Sequence, residues 1–126
     1  MIDKSLYIHI GTHKTGSSAL QQSLLQNSEL LKSNNMSFVE YSLRNNAHNL
    51  RNIGEKDEFK LIKEKSNLEN QITKVDTSTV ILSCEEYFGN LAESYCDTWH
   101  MAQKLSYVTS SFKQRKIVVY LRRQDE

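Results

Sequence analysis

Proline is absent from the chain, and only four of its 126 residues are glycine. Turns fixed by a pyrrolidine ring are therefore excluded, and each glycine becomes a marked position. The two cysteines, Cys84 and Cys96, stand in unrelated segments without metal-ligand spacing. They read as reduced, partly buried thiols that act as small hydrophobes. No apolar run is long enough to cross a membrane, and Met1-Ile2-Asp3-Lys4 leads straight into a strand pattern with no signal peptide. The expectation is a cytoplasmic protein. Net charge is only +1, from 16 basic and 15 acidic residues, which gives no case for nucleic acid or a membrane surface as partner. Any anion binding must come from local placement of charge.

The pattern of what is present alternates between two periods. Leu6 to Ile10 reads as a first strand, central and parallel, interrupted by His9. A buried histidine satisfied by neighbouring backbone is the expectation for His9. Leu20, Leu24 and Leu31 share a helical face, with Leu25 beside them, so a helix is expected from Gly16 to Lys32, ended by Ser33-Asn34-Asn35. Met36 to Tyr41 reads as a second strand, which completes a βαβ unit. Ser42 to Gly54 is polar and contains Ala47-His48-Asn49-Leu50, a surface loop or short helix. Glu55 to Lys74 reads as a helix with Leu61, Leu68 and Ile72 inward and pairs such as Lys60/Glu64 on a solvated side. Thr79 to Ser83 is a short β-branched strand. From Asn90 to Lys113 the positions Leu91, Tyr95, Trp99, Ala102, Leu105, Val108 and Phe112 step by three or four, the spacing of a helical core stripe. Ile117 to Leu121 gives a fourth strand. No repeat or linker divides the chain, so residues 1–126 form one domain or part of one. Alternating strands and helices predict an α/β three-layer sandwich with a mostly parallel sheet. Ligands in such sheets bind beyond the carboxyl ends of the strands.

One such strand end carries the densest chemistry. Tyr7-Ile8-His9-Ile10 runs into Gly11-Thr12-His13-Lys14-Thr15-Gly16-Ser17-Ser18, a glycine-bounded loop rich in hydroxyls that opens a helix. Backbone N–H groups in such a loop can curl around an anion, and the helix points its positive end at the same place. Gly11 and Gly16 keep the G-x-x-x-x-G frame of a nucleoside-triphosphate loop. The Lys-Ser/Thr pair that should follow is replaced by Ser17-Ser18, and the lysine sits inside the loop at Lys14.

The segment Lys14-Thr15-Gly16-Ser17-Ser18 resembles the 5′-phosphate loop, K-[ST]-G-[ST]-[ST], of sulfotransferases that use 3′-phosphoadenylyl sulfate (PAPS). Ile81-Leu82-Ser83-Cys84-Glu85-Glu86 and Val118-Val119-Tyr120-Leu121-Arg122-Arg123 also look like that family, in the family's order. The resemblance implies a P-loop-containing nucleotide-binding fold, PAPS as sulfate donor, and no metal. It also implies that the chain is the N-terminal portion of a longer catalytic domain, truncated in the 3′-phosphate loop. The 126-residue chain alone would then bind the product nucleotide weakly and transfer no sulfate.

Carried over residue by residue, the resemblance gives these roles. Backbone N–H groups from Thr15 to Ser18 would hold the 5′-phosphate, with the Thr15, Ser17 and Ser18 hydroxyls adding bonds. Lys14 would neutralise charge on the phosphate and the departing oxygen. Glu85 aligns with an acidic residue after the family's third strand and becomes the candidate general base, with Glu86 second. Arg122 aligns with the arginine that grips the 3′-phosphate. The acceptor is a hydroxyl or amine on a carbohydrate, lipid or small molecule. Two other readings remain at this stage: a P-loop kinase or nucleotide hydrolase with a degenerate loop, and a non-catalytic nucleotide- or anion-binding remnant.

Overall fold

The computed structural model describes residues 1–10, 17–39, 57–84 and 98–119. Four strands and four helices alternate among them: β1 (Ile2–Ile10), α1 (Ser17–Gln26), α2 (Ser28–Ser33), β2 (Met36–Val39), α3 (Glu58–Thr73), β3 (Thr79–Cys84), α4 (Thr98–Val108) and β4 (Phe112–Val118). The strands form one sheet in the order β2-β3-β1-β4. Every pairing is parallel, as β1 lies between β3 and β4 while β2 adds to the far side of β3. The expected α/β layered architecture is therefore present.

The connections fix which face each helix covers. The chain moves outward from β1 to β2, then reverses direction through β3 to β4. Right-handed crossovers, the rule for such units, then put α1 and α2 on one face and α3 and α4 on the other. Packing agrees, since α3 lies against α4 while α1 reaches β3 from the opposite side. Side-chain alternation along β1 follows the same division. Leu6 and Ile8 join Val80 and Leu82 in a core completed by Leu68 and Ile72 of α3 and by Met101, Leu105 and Val108 of α4. Tyr7 and His9 face the other way.

Leu82 is fully buried in β3, between β1 and β2. Leu82→Ala should lower unfolding free energy by about 2–5 kcal/mol, the cost of a lost side chain plus its cavity. Urea denaturation measures this. A loss below about 1 kcal/mol would contradict the core described here.

Local chemistry explains several boundaries. The helix expected from Gly16 to Lys32 is two helices that meet at Asn27. The Asn27 side-chain amide donates to the Ser23 carbonyl at 2.7 Å, competing with the backbone ladder at the junction. Asn35 adopts a left-handed conformation with φ 59°, which asparagine tolerates better than most residues. From there its side chain accepts from Ser78 N at 3.1 Å and donates to Ser78 Oγ at 2.7 Å, tying the entries of β2 and β3. Asp57 caps α3 by accepting from Lys60 N at 3.3 Å. Its carboxylate also pairs with Lys60 Nζ at 3.3 Å, and Glu64 is buried on the inner face of α3. The solvated Lys60/Glu64 pair expected from spacing is thus replaced by a cap and an inward glutamate.

The long helix expected to end at Lys113 ends at Val108 instead, and Phe112 begins a strand. Thr109 Oγ1 donates to the Leu105 carbonyl at 2.8 Å and closes the last helical turn. β4 consequently starts five residues before the expected Ile117. The inward face of α4 is Met101, Leu105 and Val108, whereas Trp99 is 70% exposed and Ala102 is also exposed. Trp99 is therefore not part of the core stripe. Leu91 and Tyr95 lie outside the described residues.

Candidate functional site

The parallel sheet puts all four carboxyl ends on one edge. β1 ends at Ile10, which is paired with Cys84, the last residue of β3. On the other side of β1, His9 is paired with Val118, the last residue of β4. Three strands therefore finish level with one another. The chain leaves β1 toward β2 and leaves β3 toward β4, in opposite directions from adjacent strands. That is a topological switch point, where open α/β sheets form a ligand crevice.

Most of the sequence candidates follow these strand ends along the chain. Ser17 opens α1 directly after the Gly11–Gly16 segment, so β1 and α1 bracket that segment. Lys14, Thr15 and Gly16 themselves lie outside the described residues, as do the side chains of Ser17 and Ser18. Glu85 and Glu86 follow β3 and are outside the described residues, and so are Arg122 and Arg123 beyond β4. His13 and His48 fall in the same category. What the structure brings together is the set of points from which these segments depart.

A polar cluster lies immediately beneath the switch point. His9 and Ser83 are direct partners across β1 and β3, each one residue from its strand's end. Both are 3% exposed. His9 Nδ1 and Ser83 Oγ share a hydrogen bond at 2.8 Å. Gln21, one turn into α1, donates from Nε2 to the same Ser83 oxygen at 3.2 Å. The serine hydroxyl has two lone pairs and one proton, so it can serve both neighbours at once. The Nδ1 of His9 is partnered by a side chain on the adjacent strand and not by the neighbouring backbone that the sequence suggested. Sequence reasoning missed Ser83 and Gln21. For Ser83 the available signal was a polar residue near the end of an apolar strand; Gln21 carried none.

Burial pushes the His9 pKa below its ordinary value of 6.5. The unfolded chain therefore binds a proton at this residue more readily than the folded one. Stability from this group is fully present above pH 6.5 and is lost as pH falls from there through the lower folded value. His9→Phe should flatten the part of the stability profile just below pH 6.5, measured by thermal melts of both proteins across that range. Parallel profiles for the two proteins would contradict a neutral buried His9.

Among the described residues no group of three His, Cys, Asp or Glu side chains is placed to hold a metal ion. No helix among them is long and apolar enough to cross a membrane. Comparison with family models, curated proteins and solved structures yields no match.

Proposed function

We propose that this chain is part of a protein that, at full length, binds 3′-phosphoadenylyl sulfate at the carboxyl edge of the sheet and transfers its sulfuryl group to an acceptor hydroxyl or amine. One observation carries most of the weight. The segment containing Lys14-Thr15-Gly16 is bracketed by β1 and α1 at the switch point of a parallel sheet. A loop in that setting has the amino end of a helix behind it and the ends of two further strands beside it.

The chemistry asks for three things: a grip on the nucleotide phosphates, relief of charge on the leaving group, and removal of the acceptor's proton. The acceptor oxygen or nitrogen attacks sulfur while the bond from sulfur to the bridging phosphate oxygen breaks. The departing nucleotide, adenosine 3′,5′-bisphosphate (PAP), takes that electron pair. In this reading N–H groups from Thr15 to Ser18 hold the 5′-phosphate, with help from the three hydroxyls. Lys14 offsets the charge that grows on the bridging oxygen. Glu85 accepts the acceptor's proton, and Arg122 holds the 3′-phosphate bidentately. The same reading takes the protein to be cytoplasmic, which cell fractionation tests.

The kinase or nucleotide-hydrolase reading needs a lysine and a hydroxyl immediately after Gly16 to reach the outer phosphates and magnesium. Ser17 stands where that lysine should be. Thermal melts separate the two readings, because a ligand that binds only the folded state raises the melting temperature. In the full-length protein, PAP should raise it more than ATP with magnesium. Equal or larger stabilisation by ATP-magnesium would favour the nucleotide hydrolase.

A further inference from the structure

We infer that Gln21, Ser83 and His9 are positioning residues, a clamp that fixes the amino-terminal half of α1 against the ends of β1 and β3. The inference rests on the phosphate-loop reading of the β1–α1 connection for its functional meaning, but its geometry stands on described residues alone.

Three elements meet in this clamp, and each precedes or follows a segment to which the proposed chemistry belongs. His9 is the penultimate residue of β1, Gln21 lies in the first half of α1, and Ser83 is the penultimate residue of β3. The Ser83 hydroxyl bonds both of the others, sharing a hydrogen bond with His9 Nδ1 at 2.8 Å and accepting one from Gln21 Nε2 at 3.2 Å. The bonds span 74 and 62 positions of sequence. They are therefore tertiary ties and not by-products of local structure.

Among the described residues, the rest of α1 has little else to hold it in one orientation. Its leucines are only partly covered, with Leu20 and Leu24 half-buried and Leu25 exposed. On the other side of the sheet, α3 and α4 contribute Leu68, Ile72, Met101, Leu105 and Val108 to the buried core. Apolar packing is non-directional and would let a lightly buried helix slide or rotate on the sheet. A hydrogen bond to a buried serine is directional and selects one rotation about the helix axis. The register between β1 and β3 fixes where that serine is, since Ser83 is opposite His9. An anion site assembled from a helix start and a neighbouring strand end needs that rotation held, because misplacement by about 1 Å can cost about 10²-fold in rate. The clamp supplies it without touching a ligand.

Two variants separate positioning from general stability. Gln21→Met keeps the length of a half-buried side chain while removing its donor. Ser83→Ala removes the shared oxygen, and Ser83→Thr restores it. Amide hydrogen exchange, measured without nucleotide, should accelerate about tenfold in α1 from Leu20 to Gln26 in the first two variants, the scale of one lost hydrogen bond. Amides in α3 and α4 should keep wild-type rates, and Ser83→Thr should behave like wild type. PAP titrated into each protein by calorimetry should bind about tenfold more weakly to Gln21→Met and Ser83→Ala.

Unchanged exchange in α1 overturns the clamp. A uniform rise throughout the sheet and both helical layers also overturns it, because that marks a structural role alone. Unchanged PAP affinity in variants whose α1 has loosened overturns the positioning role while leaving the sulfotransferase reading standing. If the full-length wild-type protein fails to bind PAP, it is the sulfotransferase reading that fails, and the exchange pattern alone decides the clamp.

Discussion

In the full-length protein, Lys14→Ala should lower sulfuryl transfer by about 10²–10³, the scale seen when one charge-stabilising donor is removed from a reaction centre. The leaving group of this reaction is a phosphate that gains charge as the sulfur–oxygen bond lengthens. A cation that meets that charge contributes more in the transition state than in the ground state, so the loss should fall on turnover more than on nucleotide affinity. Melting temperature should hardly move. The core among the described residues is built from Leu6, Ile8, Val80 and Leu82 and the inward faces of α3 and α4, and the expectation for Lys14 is a loop lysine that carries little packing. PAPS-dependent release of PAP, followed across a panel of hydroxyl and amine acceptors, measures the effect. Near-normal turnover in a folded Lys14→Ala protein would remove the lysine from the mechanism.

Glu85→Gln should be as damaging to turnover, by about 10²–10⁴, while PAP affinity is retained. The amide keeps the size and shape of the carboxylate but cannot take the acceptor's proton. Glu86→Gln should be milder. The two positions are adjacent after β3, and which one meets the acceptor depends on how the chain leaves Cys84. A reversal of the two phenotypes would move the base to Glu86 and shift the resemblance by one register. If neither variant loses activity, proton removal belongs elsewhere, with His48 and His13 the next groups to test. Kinetics and calorimetry on the same preparations distinguish these cases.

The sheet was legible in the sequence wherever a strand is apolar on at least one face. β1 and β3 carry Leu6, Ile8, Val80 and Leu82, and the period of α3 is plain from Leu61, Leu68 and Ile72. β4 was legible only in its last residues. Lys113, Gln114, Arg115 and Lys116 are all exposed, and a strand with charge on both faces has no period to read. Such charges suit an outer strand, where they discourage pairing with other chains. The spacing from Leu105 through Val108 to Phe112 then extended the helix pattern across a turn, because Phe112 is apolar and buried although it begins a strand. Trp99 was misread for the same reason: its spacing fits the stripe, but Met101 takes the inward place.

The candidate site divides along a different line. Lys14-Thr15-Gly16-Ser17-Ser18, Glu85 and Arg122 were chosen by motif and strand-end position, and only the bracketing elements are described. The residues beneath them, His9, Ser83 and Gln21, carry no motif. His9 invited attention as a polar residue in an apolar strand, but its partner depends on the register of β1 against β3. Register is a property of the assembled sheet, fixed by which faces are buried. Gln21 could be found only after the rotation of α1 was known.

The strand order carries a consequence for how the protein is made. β1 leaves the ribosome first, yet none of its sheet partners is close behind it. His9 must wait for Ser83, 74 positions later, and Ser5 must wait for Gln114, 109 positions later. At about 5–20 residues per second, the wait for β3 is about 4–15 s. Throughout that interval Leu6 and Ile8 have no sheet to join, while β2 can pair only with the same late-arriving β3. The nascent chain thus carries the apolar residues of β1 unpaired until β3 has been made, and it should be a client of holding chaperones at the ribosome.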